Sequence, residues 1–131
     1  MPPAYVRAYT CIVSAARRST CTLGANLGRL MAKAYWIVRA DVADPERYKL
    51  YMVANAAPFK KYGARFLVRG GRFENPEGTC RSRNVVLEFP SYDAALACWK
   101  SPEYQAAIRL RQPVSTFDLV IIDAYEGPQP S

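Results

Sequence analysis

The chain has 131 residues, half of them apolar and 12% aromatic, which provides for one folded domain with a real core and excludes a disordered polypeptide. Its formal charge of +7 divides unevenly: residues 1–30 carry Arg7, Arg17, Arg18 and Arg29 and no acid, while the rest is only +3 with its signs interspersed, so no basic stripe marks a nucleic-acid surface. The absence of histidine excludes His-based proton transfer, Ser-His and Cys-His nucleophile pairs, and every His-containing zinc site.

Residues 1–30 read as an unstructured leader, rich in Ser, Thr, Ala and Arg and without sustained periodicity. Either Met31-Ala32-Lys33 is the true start and the leader an over-extended one, or the leader is a targeting segment of the kind that shares this composition. The domain then occupies residues 31–131. No apolar run reaches the roughly 18 residues that cross a bilayer. The four cysteines, at 11, 21, 80 and 98, form no C-x-x-C pair. A cytoplasmic, reducing setting fits them best.

Ala34 to Val42, aromatic and β-branched, reads as a strand ended by Asp44-Pro45. Asp44 caps a helix with Pro45 at its first position. Tyr48, Tyr51, Met52, Asn55, Phe59 and Tyr62 fall on one helical stripe. Pro58 interrupts that stripe and predicts a kink or a split-off last turn, and Gly63 is the stop. Arg65 to Arg69 is a second strand, with Gly70-Gly71 bending or bulging the chain after it. Asn75 to Ser82 is a turn-rich loop, and Arg83 to Phe89 a third strand. Ser91 opens a second helix whose stripe is Tyr92, Ala95, Leu96 and Trp99. Ser101-Pro102-Glu103 starts a further helical segment carrying Tyr104, Ala107 and Ile108, which Pro113 closes. Phe117 to Tyr125 is the last strand.

The order β-α-β-β-α-β predicts an α+β, ferredoxin-like protomer: a four-stranded antiparallel sheet with its helices on one face. The other face should read polar if it is wet. Instead Val86 sits between Val85 and Leu87, and Val120 and Ile122 interleave with Leu119 and Ile121. Two faces of apolar residues call for two covers, and a second copy packing sheet to sheet is the economical one. The chain is therefore expected to be a homodimer.

Several spaced blocks agree with one family in order: Y-W-I-V-R (35–39), K-K-Y-G-A-R-F-L-V-R-G-G (60–71), R-N-V-V-L-E-F-P-S-Y-D-A-A (83–95), S-P-E-Y-Q (101–105) and the final strand. On these residues, from Met31 to about Pro128, the chain resembles the domain-of-unknown-function 1330 family, within the dimeric α+β barrel superfamily. The resemblance implies protomers paired through their sheets, with small clefts between sheet and helices. It implies no reaction, since the family has no agreed activity to carry over. Related barrels include cofactor-independent monooxygenases and isomerases, an analogy of fold only.

The residues themselves suggest where chemistry could sit. Arg39, Arg69 and Arg83 lie on three strands near glycines; they either hold a carboxylate or enolate by forked hydrogen bonds, or pair structurally with Glu88, Asp123 or Glu74. Tyr51, Asn55, Trp99 and Tyr104 project from the helices toward the sheet, as pocket lining or as core. Without histidine, proton transfer would fall to Glu74, Glu88, Asp123, a tyrosine or Lys33. Cys98 reads as a small buried apolar residue, and Cys80 as a turn residue.

These readings converge on one small-molecule cleft per protomer, lined by Arg39, Asn55, Arg69, Trp99 and Tyr104. Its ligand is small, organic, and anionic or aromatic, and Glu74 is the candidate proton carrier. No metal and no cofactor are expected, nor a nucleic-acid or membrane partner. Turnover, if there is any, would be cofactor-independent. The alternative is a non-catalytic binding or stress-related accessory module in which the same arginines join the subunits.

Overall fold

The computed structural model describes residues 32–131; the leader expected at residues 1–30 lies outside the described residues. β1 (Ala34–Val42) is followed by α1 (Pro45–Ala54), α2 (Ala56–Lys61) and β2 (Arg65–Arg69). β3 (Arg83–Phe89), α3 (Tyr92–Lys100), α4 (Pro102–Arg111), a short 3-10 turn (Gln112–Val114) and β4 (Ser115–Asp123) complete the domain. The sheet order is β2-β3-β1-β4, every neighbouring pair antiparallel. This is the ferredoxin-like α+β fold that the element order predicts.

Local chemistry sets the helix ends. Asp44 accepts from the Arg47 N–H at 3.2 Å and Pro45 occupies the first helical position, where its missing N–H costs nothing. The break between α1 and α2 falls at Asn55, three residues before Pro58. A proline ring clashes with the carbonyl four residues upstream, here that of Ala54, the last residue of α1. Ser101 joins α3 to α4. Its hydroxyl accepts from the Tyr104 N–H at 3.2 Å and donates to the Cys98 carbonyl at 2.6 Å, all of it buried.

The helices cover one face of the sheet. Ala34, Trp36, Val38 and Ala40 of β1 and Val85, Leu87 and Phe89 of β3 are buried against Tyr48, Tyr51, Phe59, Ala95, Cys98, Tyr104 and Ile108. Trp36 is the hub: fully buried, its ring centre lies 4.9–5.6 Å from those of Tyr104, Phe89 and Phe59, and its indole N–H donates to the Ala95 carbonyl at 3.1 Å.

The opposite face carries a continuous apolar band. The register sets Ile37 against Val86 on one side and Val120 on the other, and Tyr35 against Ile122. Ile37, Val120 and Ile122 are 41%, 53% and 46% exposed. Single exposed apolar residues are ordinary, but a cross-strand band of them marks a contact surface.

Two local expectations are displaced. β4 begins two residues earlier than composition suggests, because Ser115 pairs with Val42, and it ends at Asp123 because Ala34, its partner, is the first residue of β1. The bulge in β2 falls at Leu67, where pairing steps from Phe66–Leu87 to Val68–Val86, not at the glycine pair. Gly70 instead turns the chain with φ +64, its N–H bonded to the Asn84 carbonyl.

The loop from residue 70 to 82 is pinned at its far end. Arg81 donates to Asp118 at 2.6 Å and to Asp41 at 2.9 Å, while Asp41 also accepts from the Ser82 N–H at 2.9 Å. That N–H and then Arg81 hold the Asp41 carboxyl below its ordinary range. The depressed value means the link stands at neutral pH and is lost as pH falls through it. Asp41→Ala should speed tryptic cleavage at Arg72 and Arg81 several-fold by raising local opening, read by mass spectrometry of the fragments; an unchanged rate would show that the loop is held by other contacts.

Candidate functional site

A cleft opens between the α1–α2 pair and the β2–β3 side of the sheet. It encloses about 350 Å³ of empty space counted to its open mouth, with about 20 Å³ of room for the centre of a water-sized molecule. An organic ligand therefore enters only if the side chains at the mouth swing aside. Its inner lining is the buried Trp36, Tyr48, Asn55, Phe59 and Tyr104, and the more exposed Arg69 and Arg83 stand at its mouth.

The bulge puts Arg69 there. In a regular strand Arg65, Leu67 and Arg69 would share the open face. Leu67 is the extra residue, so Arg69 comes opposite Val85, whose side chain faces the core. Its guanidinium lies 4.2 Å from the centre of the Phe66 ring, a cation–π contact that holds the plane at the cleft wall. Arg83 comes from the first position of β3, 5.9 Å from the Tyr48 ring centre, with its Nε buried and without a partner among the described residues. Gly70 lies against Arg83: a Cβ there would stand 2.7 Å from Arg83 Nη1.

No described carboxylate comes within ion-pair distance of Arg69 or Arg83. Of the acids expected as structural partners, Glu88 pairs with Lys33 at 3.1 Å, Asp123 has a buried, unpartnered Oδ1, and Glu74 lies in the exposed loop. No acid lines the cleft.

At the back, the Tyr51 and Tyr104 hydroxyls sit 2.8 Å apart, and either can donate. Burial, then neighbouring Tyr51, raises the Tyr104 hydroxyl well above its ordinary value. Tyr48 is likewise raised by burial and by Tyr51, with Arg83 and Arg111 pulling the other way. These phenols stay protonated at neutral pH and act as hydrogen-bond donors.

Of the residues expected to form the cleft, Asn55, Arg69 and Tyr104 come together in it. Asn55 is buried at the helix break and makes no side-chain cap to α2. Arg39 lies on the other face of the sheet, its Nη2 donating to the Thr79 carbonyl at 3.0 Å. Trp99 lines a separate groove with Arg111, Phe117, Leu119 and Ile121. Tyr48, Met52, Phe66 and Phe117 complete the cleft wall. Tyr48 and Met52 share the helical stripe with Asn55, which is the signal that could have placed them there. Cys98 is fully buried and burial pushes its thiol up to about 12, so it is inert packing. Among the described residues no cluster of metal-ligating side chains occurs, and no helix is long and apolar enough to cross a membrane.

The family described as a domain of unknown function (DUF1330) matches residues 33–125. No curated protein matches the chain. Among solved structures, RPA0582 of Rhodopseudomonas palustris, a protein of unknown function, is similar at 17% identity and TM-score 0.55 over 74% of this chain and 85% of that one. A methylated form of RPA0582 gives 16% identity and TM-score 0.59 over 75% and 84%. SnoaB of Streptomyces nogalater, a cofactor-independent oxygenase, is similar at 14% identity and TM-score 0.51 over 73% and 96%. At these identities the likeness establishes the fold alone.

Proposed function

The chain belongs to the DUF1330 family, whose description names no reaction, and from its cleft we propose that the protein binds a small planar organic anion, working as a homodimer joined through the open sheet face. The observation that carries this reading is Arg69, brought by the Leu67 bulge to the cleft that Arg83 also lines, with no described carboxylate within ion-pair reach. Two guanidinium forks at the mouth of an aromatic cleft suit a carboxylate or enolate on a ring: the forks take the charge and the walls take the ring. The Asn55 amide and the Tyr48 hydroxyl supply further polar groups in the cleft lining.

Binding without turnover accounts for the cleft as it stands, since no carboxylate lines it and its phenols hold their protons. A binding or accessory role is therefore the first reading. Cofactor-independent turnover is the second, favoured by the paired Tyr51 and Tyr104 hydroxyls: one donates to the other, and the single proton left free, with the arginines, could stabilise a developing enolate. The fold shared with SnoaB supports it by analogy alone.

The test is titration calorimetry of the full chain with benzoate and with benzamide, its uncharged counterpart. Benzoate should bind at least about tenfold more tightly, and Arg69→Met should remove that advantage. Equal affinities for the two, or full benzoate affinity in Arg69→Met, would overturn the anion reading.

A further inference from the structure

The helical layer does not close over β4. Phe117, Leu119 and Ile121 face it but stay half-buried, and with Trp99 of α3 and Arg111 of α4 they line an open groove with about 400 Å³ of room for the centre of a water-sized molecule. Only Phe117 is shared with the central cleft.

Arg111 acts on the Tyr48 and Tyr104 hydroxyls but has no counter-charge among the described residues. It is 7% exposed and its Nε is buried without a partner among the described residues. Its guanidinium lies 3.7 Å from the Phe117 ring centre and 5.5 Å from that of Tyr51. Stacking on the Phe117 ring fixes its plane but supplies no counter-charge. No described carboxylate lies within ion-pair distance, and residues 1–31 contain no Asp or Glu that could supply one. Asp123, the acid on the same face of β4, is six residues of strand from Phe117, about 20 Å. A guanidinium taken this far out of water without an anion is costly.

We propose that this groove is a second binding site, distinct from the central cleft, for a small aliphatic carboxylate. The head group meets the Arg111 fork, and the chain runs along Leu119 and Ile121 beneath the Trp99 indole. From Phe117 to Ile121 the strand extends about 13 Å, a length that suits a medium-chain acid. The apolar walls and the single planar fork favour a carboxylate over a phosphate, which would seek further donors that the groove lining does not offer.

The experiment is titration calorimetry of the full chain with octanoate and with 1-octanol. Octanoate should bind at least about tenfold more tightly than the alcohol. Trp99→Ala, at a partly exposed position, and Arg111→Met should each weaken octanoate about tenfold or more; Trp99→Ala should leave benzoate affinity unchanged, and Arg69→Met should weaken benzoate while leaving octanoate affinity unchanged. If Arg111→Met fails to fold, the acid–alcohol comparison and Trp99→Ala still decide. Equal affinity for acid and alcohol, no octanoate binding, or full affinity in Trp99→Ala would overturn the proposal.

Discussion

Replacing Trp36 by alanine is expected to remove about 3–5 kcal/mol of folding stability, the cost of emptying a large aromatic site in a core that cannot collapse to fill it. The site has little room to relax: the indole is fully buried, touches Phe59, Phe89 and Tyr104, and ties β1 to α3 through its bond to the Ala95 carbonyl. Against a total of roughly 5–15 kcal/mol for a domain of this size, that loss is a large fraction of the whole. Urea denaturation at one fixed protein concentration measures it, since association would otherwise shift the midpoint. Val53→Ala, at a position 77% exposed, is the control and should move stability by no more than about 0.5 kcal/mol. A loss near 1 kcal/mol for Trp36→Ala would mean that the cleft wall collapses into the vacancy.

Ile37→Asp is expected to break the proposed homodimer while sparing the protomer. Ile37 stands in the middle of the open face between Val86 and Val120. A carboxylate buried there without a partner costs about 3–5 kcal/mol, a hundred- to thousandfold or more in the dissociation constant. In the free protomer the same side chain is wet, so only the modest strand preference of isoleucine over aspartate is lost. Sedimentation velocity should show the unaltered chain at the dimer mass and Ile37→Asp at the monomer mass, with unchanged circular dichroism. A dimer that survives the substitution would move the contact to another surface.

Most of the fold is legible in the residues because its signals are local. Asp44-Pro45 and Ser101-Pro102 each announce a helix through a cap and a proline, and Ser91 through a cap alone, chemistry that does not depend on the rest of the chain. Alternation in β1 reads directly as faces: Trp36 and Val38 inward, Ile37 and Arg39 outward. The site is less legible because sheet register is a property of pairs of strands. Nothing within R-F-L-V-R says that Leu67 is the extra residue, and without that step Arg69 would be assigned to the open face. Arg39 and Arg69 look alike as strand arginines, yet the unbroken alternation of β1 sends Arg39 to the opposite side. Trp99 and Tyr104 likewise look equivalent as helical aromatics. The turn made at Ser101 separates them, leaving Tyr104 fully buried behind the cleft and Trp99 over β4.

Gly70 has no side chain to offer a ligand, yet it is the place from which the cleft's preference can be retuned. Any larger residue there meets both an unfavourable backbone angle and the end of the Arg83 side chain, so the guanidinium must move and the separation between the two cations changes with it. A mutational library confined to residues that could touch a bound anion would pass over this position. If the cleft binds the anion proposed for it, ligand size is set partly by an atom that is missing, and variants at residue 70 should alter selectivity among anions of different width without adding a functional group.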